Sequence, residues 1–154
     1  MWTFKDKGGR ECCLIPEVTG VIQELANQLS WEKSMKKPIR LFYVNRCYRY
    51  EKPQAGRYRE FTQFGIECLF GDPAEDKVEV TSILLKCMEQ FSISYEYDDN
   101  VKRGLGYYIQ EGFEIKCSVL GAQKQVAGGG RYKEGIGWAI GVDRLLLAIA
   151  LNSE

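Results

Sequence analysis

Apolar residues recur along this chain with two different periods, and the switches between them mark out its elements. After Met1, a short strand, a Lys5–Gly9 turn and a second strand over Glu11–Ile15 open the chain. Pro16 suits the first position of a helix. Val18, Val21, Ile22, Leu25 and Leu29 then fall on one stripe, which predicts a helix from Pro16 to about Leu29. Past a basic loop from Lys33 to Pro38, Ile39–Tyr50 and Arg59–Phe70 are rich in β-branched and aromatic residues. They read as a long antiparallel hairpin with a basic tip around Gln54–Gly56. Gly71-Asp72-Pro73 stops the second strand. Ala74–Phe91 reads as an amphipathic helix, with Val78, Val80, Ile83, Leu84, Cys87, Met88 and Phe91 apolar.

Strands are expected over Ser92–Tyr97, Tyr107–Cys117, Gln123–Ala127 and Ile136–Ile140. Asp98–Gly106 reads as a loop and Gly128-Gly129-Gly130 as a sharp break between strands. An apolar helix over Gly141–Leu151 closes the pattern. Such an order predicts an α+β domain, a mostly antiparallel sheet flanked by helices, rather than a doubly wound parallel sheet. On the second hairpin strand, period two places Phe64, Ile66, Cys68 and Phe70 on a core face and Phe61, Gln63, Gly65 and Glu67 on the other. That second face reads either as a pocket wall, with a ring, an amide, a gap and a carboxylate, or as a wetted outer face.

Composition narrows the chemistry. The 154 residues suit one domain, and 45% apolar content with 19 aromatics is enough for a packed core. Histidine is absent, which excludes Ser-His-Asp and Cys-His catalysis, H-E-x-x-H zinc sites and histidine pH switches. The six cysteines form no C-x-x-C pair and read as buried thiols. No leader opens the chain and no apolar run reaches the ~18 residues a membrane span needs, so a cytoplasmic, reducing setting is expected. A formal net charge of +0 argues against blanket binding to nucleic acid. Yet the charge is segregated: nine basic and two acidic residues lie between Lys33 and Glu60, and nine acidic and two basic between Glu67 and Asp99. The hairpin can therefore hold an anion, with arginine forks suited to phosphate oxygens. No P-loop is present, because the glycine run lacks the following Lys-Ser/Thr. Lys36 and Lys37 belong to no motif and read as surface charge.

Four blocks carry a resemblance. Tyr48-Arg49-Tyr50-Glu51-Lys52-Pro53-Gln54, with Gly56-Arg57-Tyr58-Arg59-Glu60-Phe61-Thr62-Gln63-Phe64-Gly65 and Glu67, resembles motif 2 of class II aminoacyl-tRNA synthetases in their histidyl form. Pro16-Glu17-Val18-Thr19 resembles the family's Pro-Glu-x-Thr. Arg103-Gly104-Leu105-Gly106-Tyr107-Tyr108 resembles its Arg-Gly-Leu-Asp-Tyr-Tyr, with Gly106 in the Asp position. Gly129-Gly130-Arg131-Tyr132, followed by Gly137 to Leu145, resembles the second histidine-specific block running into motif 3.

The resemblance implies the class II synthetase-like catalytic fold, with ATP and Mg²⁺, and activation of histidine to histidyl-adenylate. It implies catalytic roles for Arg49 and Arg103 at the α-phosphate. Arg57 would hold the γ-phosphate, Phe61 and Arg144 would sandwich adenine, and Glu51 would lie at its amino edge. Glu17, Thr19 and Gln63 would receive the substrate's amino group. Glu67, Tyr107 and Tyr108, with Arg103 nearby, would enclose the rest of the histidine. No protein metal ligand is assigned.

Against the family pattern, residues 1–154 read as a single catalytic domain lacking motif 1, the inserted domain and the anticodon-binding domain. Those differences imply weakened recognition of tRNA(His), and a homodimer or looser self-association through surface that motif 1 would cover. The alternative reading is a non-catalytic paralogue, a histidine-binding regulatory chain like the ATP phosphoribosyltransferase regulatory subunit.

Overall fold

The structure, a computed structural model, describes residues 1–29, 36–102 and 106–153. Strands β1 (Thr3–Lys5) and β2 (Glu11–Cys13) pair antiparallel across a turn closed by Asp6, whose Oδ1 accepts from the Gly8 and Arg10 amides at 2.9 Å each. Helix α1 runs Thr19–Leu29. It starts three residues later than the proline suggests, because its first bonds go from Val21 and Ile22 N–H to the Val18 carbonyl. Its buried line is Val18, Ile22 and Ala26, spaced by four, while Val21 and Leu25 face outward. Only part of the expected stripe packs: the helix meets the sheet through Ile22 and Ala26, and Val21 and Leu25 lie outside that line.

The main sheet holds β3 (Ile39–Tyr48), β4 (Glu60–Leu69), β5 (Glu96–Asp98), β6 (Gln110–Lys116), β7 (Gln125–Tyr132) and β8 (Gly135–Gly141). Its order is β3-β4-β8-β7-β6-β5, with every pair antiparallel. Helix α2 (Pro73–Glu89) and helix α3 (Val142–Asn152) pack on one face. Phe113, Ile115, Trp138, Leu84, Met88, Leu145 and Ala148 form the main core there. The Trp138 indole N–H donates to the Val80 carbonyl at 2.7 Å, fixing α2 to the sheet centre. On the opposite face a smaller cluster of Ala26, Ile39, Leu69 and Tyr132 seats α1 at one end and leaves the rest open.

The hairpin, both long helices and the α+β class match the sequence reading. Several boundaries do not. Pro73 begins α2 rather than ending a turn, and Asp72 caps it by accepting from the Ala74 and Glu75 amides at 2.9 and 3.1 Å. Val78 on that helix is exposed. Asp72→Ala is expected to lower the stability of the chain by about 1 kcal/mol, read as an earlier urea midpoint. β4 stops at Leu69, and Phe70 turns into the left-handed region at φ 59°, so its ring joins the smaller cluster. β5 begins at Glu96 and β6 at Gln110, which leaves Tyr107 and Tyr108 in the connection before it.

The glycine triplet is not a break. Gly128, Gly129 and Gly130 run through the middle of β7 opposite Ala139, Trp138 and Gly137. A Cβ on Gly129 would lie 2.1 Å from the Gly137 carbonyl and 2.7 Å from the Trp138 side chain, so close packing, not a turn, excludes a side chain there. All six cysteines are free thiols, but Cys13 is exposed and Cys12 and Cys87 only half-buried, against the expectation of six buried ones. Among the described residues no helix is long and apolar enough to cross a membrane.

Candidate active-site cleft

The open part of the second sheet face is a cleft of about 400 Å³. Its floor follows from the register. Gly128, Ala139 and Gly141 face into it from neighbouring strands, so the centre of the sheet presents almost no side chains and leaves its volume to a ligand. The walls are longer and polar. Arg49 enters just past the end of β3, Gln63 from β4 and Arg144 from the first turn of α3. Arg57, Glu51 and Tyr58 enter from the hairpin tip. That tip is closed by a Gln54–Arg57 bridge and by Gly56 at φ +69°, a left-handed position suited to glycine.

The cations are held in place. Arg49 Nε donates to the Pro16 carbonyl at 2.9 Å, its guanidinium lies 5.0 Å from the Phe61 ring centroid, and Glu17 is 3.9 Å away. Arg144 donates from Nε to the Gly56 carbonyl at 2.8 Å and from Nη1 to the Gln125 carbonyl at 2.7 Å. These bonds aim its planar face across the cleft. Burial lowers the Arg144 pKa, and the nearby Arg57 and Arg49 charges lower it further against the opposing pull of Glu51. Arg57 and Glu51 form a direct ion pair. Asp143 Oδ2 accepts from the Thr62 amide at 2.6 Å, locking α3 to the start of β4. The result is three guanidinium groups and an aromatic ring over a shallow floor, with Glu17, Glu51 and Asp143 as counter-charges, an arrangement that can take a ligand joining phosphate to a planar ring.

The inner end differs from expectation. Glu67 is fully buried and does not line the cleft. Its two oxygens accept from the Thr19 hydroxyl at 2.8 Å and the Tyr132 hydroxyl at 2.9 Å. Burial pushes its pKa up to about 7, against the lowering effect of those two bonds and with a small upward push from Glu17. Thr19 and Glu67, expected to contact different ends of one ligand, thus contact each other. The gap at Gly65 is filled by the Tyr43 ring, since a Cβ there would lie 2.4 Å from Tyr43 Cζ. The face with Phe61, Gln63, Gly65 and Glu67 is therefore a pocket wall at its Phe61–Gln63 end and a tyrosine-covered interior at its Glu67 end.

The Tyr43 hydroxyl is buried near this carboxyl and the Tyr107 hydroxyl near Glu17, each without a hydrogen-bond partner. Tyr108 lines the cleft, its ring centroid 4.5 Å from that of Tyr107. Gln63 Oε1 accepts from the Cys47 thiol at 3.2 Å. Arg103 lies outside the described residues. A Cβ added to Gly106 would meet no atom within 4 Å, so an acidic side chain fits that position.

The structure brings Glu17, Thr19, Arg49, Glu51, Arg57, Phe61, Gln63, Tyr108 and Arg144 together on one cleft, and sets Glu67 and Tyr107 behind it. Sequence reasoning missed Tyr43, Cys47 and Tyr132 as supports of the site. Tyr132 lies on β7, beside the β8 strand whose Gly137 approaches Glu67, and Tyr43 pairs with Gly65 across the hairpin. Both signals depend on a register that no local pattern displays.

Among the described residues one group of acidic and thiol side chains, Cys68, Asp76 and Glu79, could hold a metal, but it sits on the far face of the sheet, and Glu79 is held there in a bidentate pair by Arg40 at 2.7 and 2.8 Å.

Comparisons with known proteins agree with this geometry. Residues 2–128 match the tRNA synthetase class II core domain of the G, H, P, S and T type. A histidine–tRNA ligase of Clostridioides difficile is 28% identical over 256 residues, spanning 99% of this chain and 60% of the relative. The matched stretch is thus longer than the whole chain. A histidine–tRNA ligase of Metallosphaera sedula is 48% identical over 84 residues, 54% of this chain and 19% of the relative. The chain spans about 60% of the length of the first of these relatives. Among solved structures, apo S. aureus histidyl-tRNA synthetase superposes with a TM-score of 0.81 at 26% identity, covering 99% of this chain and 56% of that one. A Bacillus halodurans C protein described as an ATP phosphoribosyltransferase regulatory subunit/histidyl-tRNA synthetase shares the fold with a TM-score of 0.76 at 13% identity. Motifs, all-antiparallel sheet and family match converge, and the chain belongs to the class II tRNA synthetase core-domain family.

Proposed function

We propose that this chain, as one catalytic unit in the cytoplasm, binds ATP and histidine in the cleft and joins them into histidyl-adenylate. The observation that carries the proposal is the convergence of Arg49, Arg57 and Arg144 with the Phe61 ring over a floor of glycine and alanine. In the step, a carboxylate oxygen of histidine attacks the α-phosphorus. The bond from that phosphorus to the bridging oxygen breaks, and pyrophosphate leaves with the electron pair. The attacking carboxylate is already ionised at neutral pH, so no general base is required, and a chain without histidine loses nothing by it. Catalysis then rests on positioning and on cations placed where charge develops.

In this reading Arg49 lies against the α-phosphate and the histidine carboxylate, with Arg103 approaching from the other side. Arg57 exchanges Glu51 for the γ-phosphate. Phe61 and Arg144 enclose adenine, and Glu51 is left at its amino edge. Glu17, Thr19 and Gln63 receive the ammonium group. The imidazole reaches Glu67, Tyr107 and Tyr108 by taking over the bond Thr19 now makes to Glu67. Bound with ATP, Mg²⁺ would neutralise phosphate charge, and no protein ligand for it is assigned.

The test is histidine-dependent exchange of labelled pyrophosphate into ATP by the purified chain. Exchange that requires both substrates is the expected result. Histidine binding without exchange would replace this reading with that of a histidine-binding regulatory paralogue. The closed Thr19–Glu67–Tyr132 arrangement and the Bacillus halodurans neighbour favour that reading as the second. Neither binding nor exchange would overturn the site altogether.

A further inference from the structure

Cys47 is fully buried beneath the cleft, near the end of β3. The β3–β4 register pairs it with Phe61 and pairs Asn45 with Gln63, so Cys47 and Gln63 are diagonal neighbours on one face. The Cys47 thiol donates to Gln63 Oε1 at 3.2 Å. Asn45, the other polar side chain beside the thiol, gives its amide to the Arg46 carbonyl at 2.7 Å. Burial pushes the Cys47 pKa up to about 11, against the lowering effect of Arg49. The group is therefore an S–H donor throughout the neutral range.

A carboxamide fits the same space either way round, because its two ends differ little in shape and are opposite in hydrogen bonding. Something must therefore choose which end of Gln63 turns inward. Gln63 Nε2 donates to no described residue, and it is not sealed from the cleft as the Tyr43 and Tyr107 hydroxyls are. The oxygen end is the one that is held, and the thiol is what holds it. A thiol donates to a carbonyl oxygen but accepts only weakly from an amide N–H, so Cys47 favours this orientation over the reverse.

We infer that Cys47 is a positioning residue, whose thiol holds the Gln63 amide in the orientation that an α-amino acid requires. The inference rests on the proposed binding of histidine in the cleft, and Cys47 acts through Gln63 without touching the ligand. An α-amino acid carries a donor, the ammonium, and an acceptor, the carboxylate, on one carbon. With one lone pair of Oε1 taken by Cys47, the second is left for the ammonium, and Nε2 is left for the carboxylate. Turned round, the amide sets N–H against the ammonium and oxygen against the carboxylate, so both contacts are lost together. An apolar residue at position 47 would fill the same space and leave the two ends of the amide undistinguished.

The test measures the KM for histidine and for ATP in pyrophosphate exchange, with the histidine Kd from equilibrium dialysis beside them. Cys47→Ala is expected to raise the histidine KM and Kd about 5- to 10-fold and to leave the KM for ATP unchanged. Cys47→Ser keeps a donor and is expected to bring the histidine values back to within about twofold of the parent. A buried hydroxyl nevertheless makes it the less stable of the two. A purely apolar role for Cys47 gives the reverse order, with alanine the better replacement in binding and in stability. In a Gln63→Ala background, Cys47→Ala is expected to add nothing further. Cys68→Ala removes a buried thiol from the far face and is expected to leave both KM values unchanged. Equal histidine values for the alanine and serine variants, an equal rise in the KM for ATP, or a full additional loss in the Gln63→Ala background each overturns the proposal. Should Cys47→Ala fail to fold, Cys47→Val fills the site without a donor and takes its place. The infrared S–H band of Cys47, isolated as the difference between the parent and the alanine or valine variant, reads the bond with no ligand present. It is expected to rise in frequency on Gln63→Ala, and a band that stays put overturns the proposal. A parent that binds no histidine overturns the proposed function and this role with it. A parent that binds histidine while every Cys47 variant binds it equally overturns the role alone.

Discussion

Arg49→Ala is expected to lower histidine-dependent pyrophosphate exchange by roughly 100- to 1,000-fold, with a much smaller change in the KM for ATP. The side chain is fixed before any substrate arrives, by its bond to the Pro16 carbonyl and its seat against Phe61. A cation fixed in that way stabilises charge as it develops at the α-phosphorus and costs no reorganisation in the act. On the proposed reading the ground state loses less, because Arg57 and Arg144 would still hold the nucleotide. Arg49→Lys keeps the charge but loses the planar fork and the stacking, and is expected to recover only part of the loss. Arg46→Ala is the comparison from the same strand, on its other face. Arg46 is exposed and bound to Glu60, so its removal is expected to leave exchange unchanged. A loss below threefold for Arg49→Ala, or an equal loss for Arg46→Ala, would remove Arg49 from the reacting centre.

The parts of this site that are legible in the sequence are those set by local periodicity. Alternation along β4 places Phe61 and Gln63 on one face, and the register with β8 puts Gln63 opposite Gly141 and Glu67 opposite Gly137, all on that face. The parts that are not legible depend on close approach between strands far apart in sequence. Three consecutive glycines are commonest in turns, so the triplet reads as a break. In the sheet they serve instead to admit Trp138 and Phe113 on one side and to flatten the cleft floor on the other. The same limit explains Glu67. Its burial comes from Tyr43 on β3, Tyr132 on β7 and Thr19 at the start of α1, three side chains that no spacing rule connects. The helix stripe fails for a related reason. Val21 and Leu25 have the right period, but the helix turns Ile22 and Ala26 to the sheet and leaves those two facing outward.

The buried carboxyl makes the second large expectation, a stability that falls as pH rises. Glu67 titrates at about 7 in the fold against an ordinary 4.5 in the unfolded chain, with desolvation the main cause. Its folded pKa is raised, so the native state holds a proton that the unfolded state has released. The contribution is fully present below pH 4.5 and is lost as pH rises through 7. A shift of this size corresponds to about 3 kcal/mol at full loss. The urea midpoint of the parent chain is therefore expected to fall between about pH 5 and pH 8. Glu67→Gln has nearly the same shape and no proton to lose, and is expected to flatten that slope. Its amide can accept from Thr19 and donate to the Tyr132 oxygen, as the protonated carboxyl does at about pH 5, so only the second amide N–H lacks a partner there and a small loss of stability is expected at that pH. Glu79→Gln controls for carboxylates in general. Arg40 holds the Glu79 pKa below its usual value, so its linkage has the opposite sign and acts only at lower pH. That variant is expected to keep the parent's slope across the same range. If Glu67→Gln also keeps it, the proton resides elsewhere, and Glu67 enters the cleft chemistry as an ordinary ionised carboxylate.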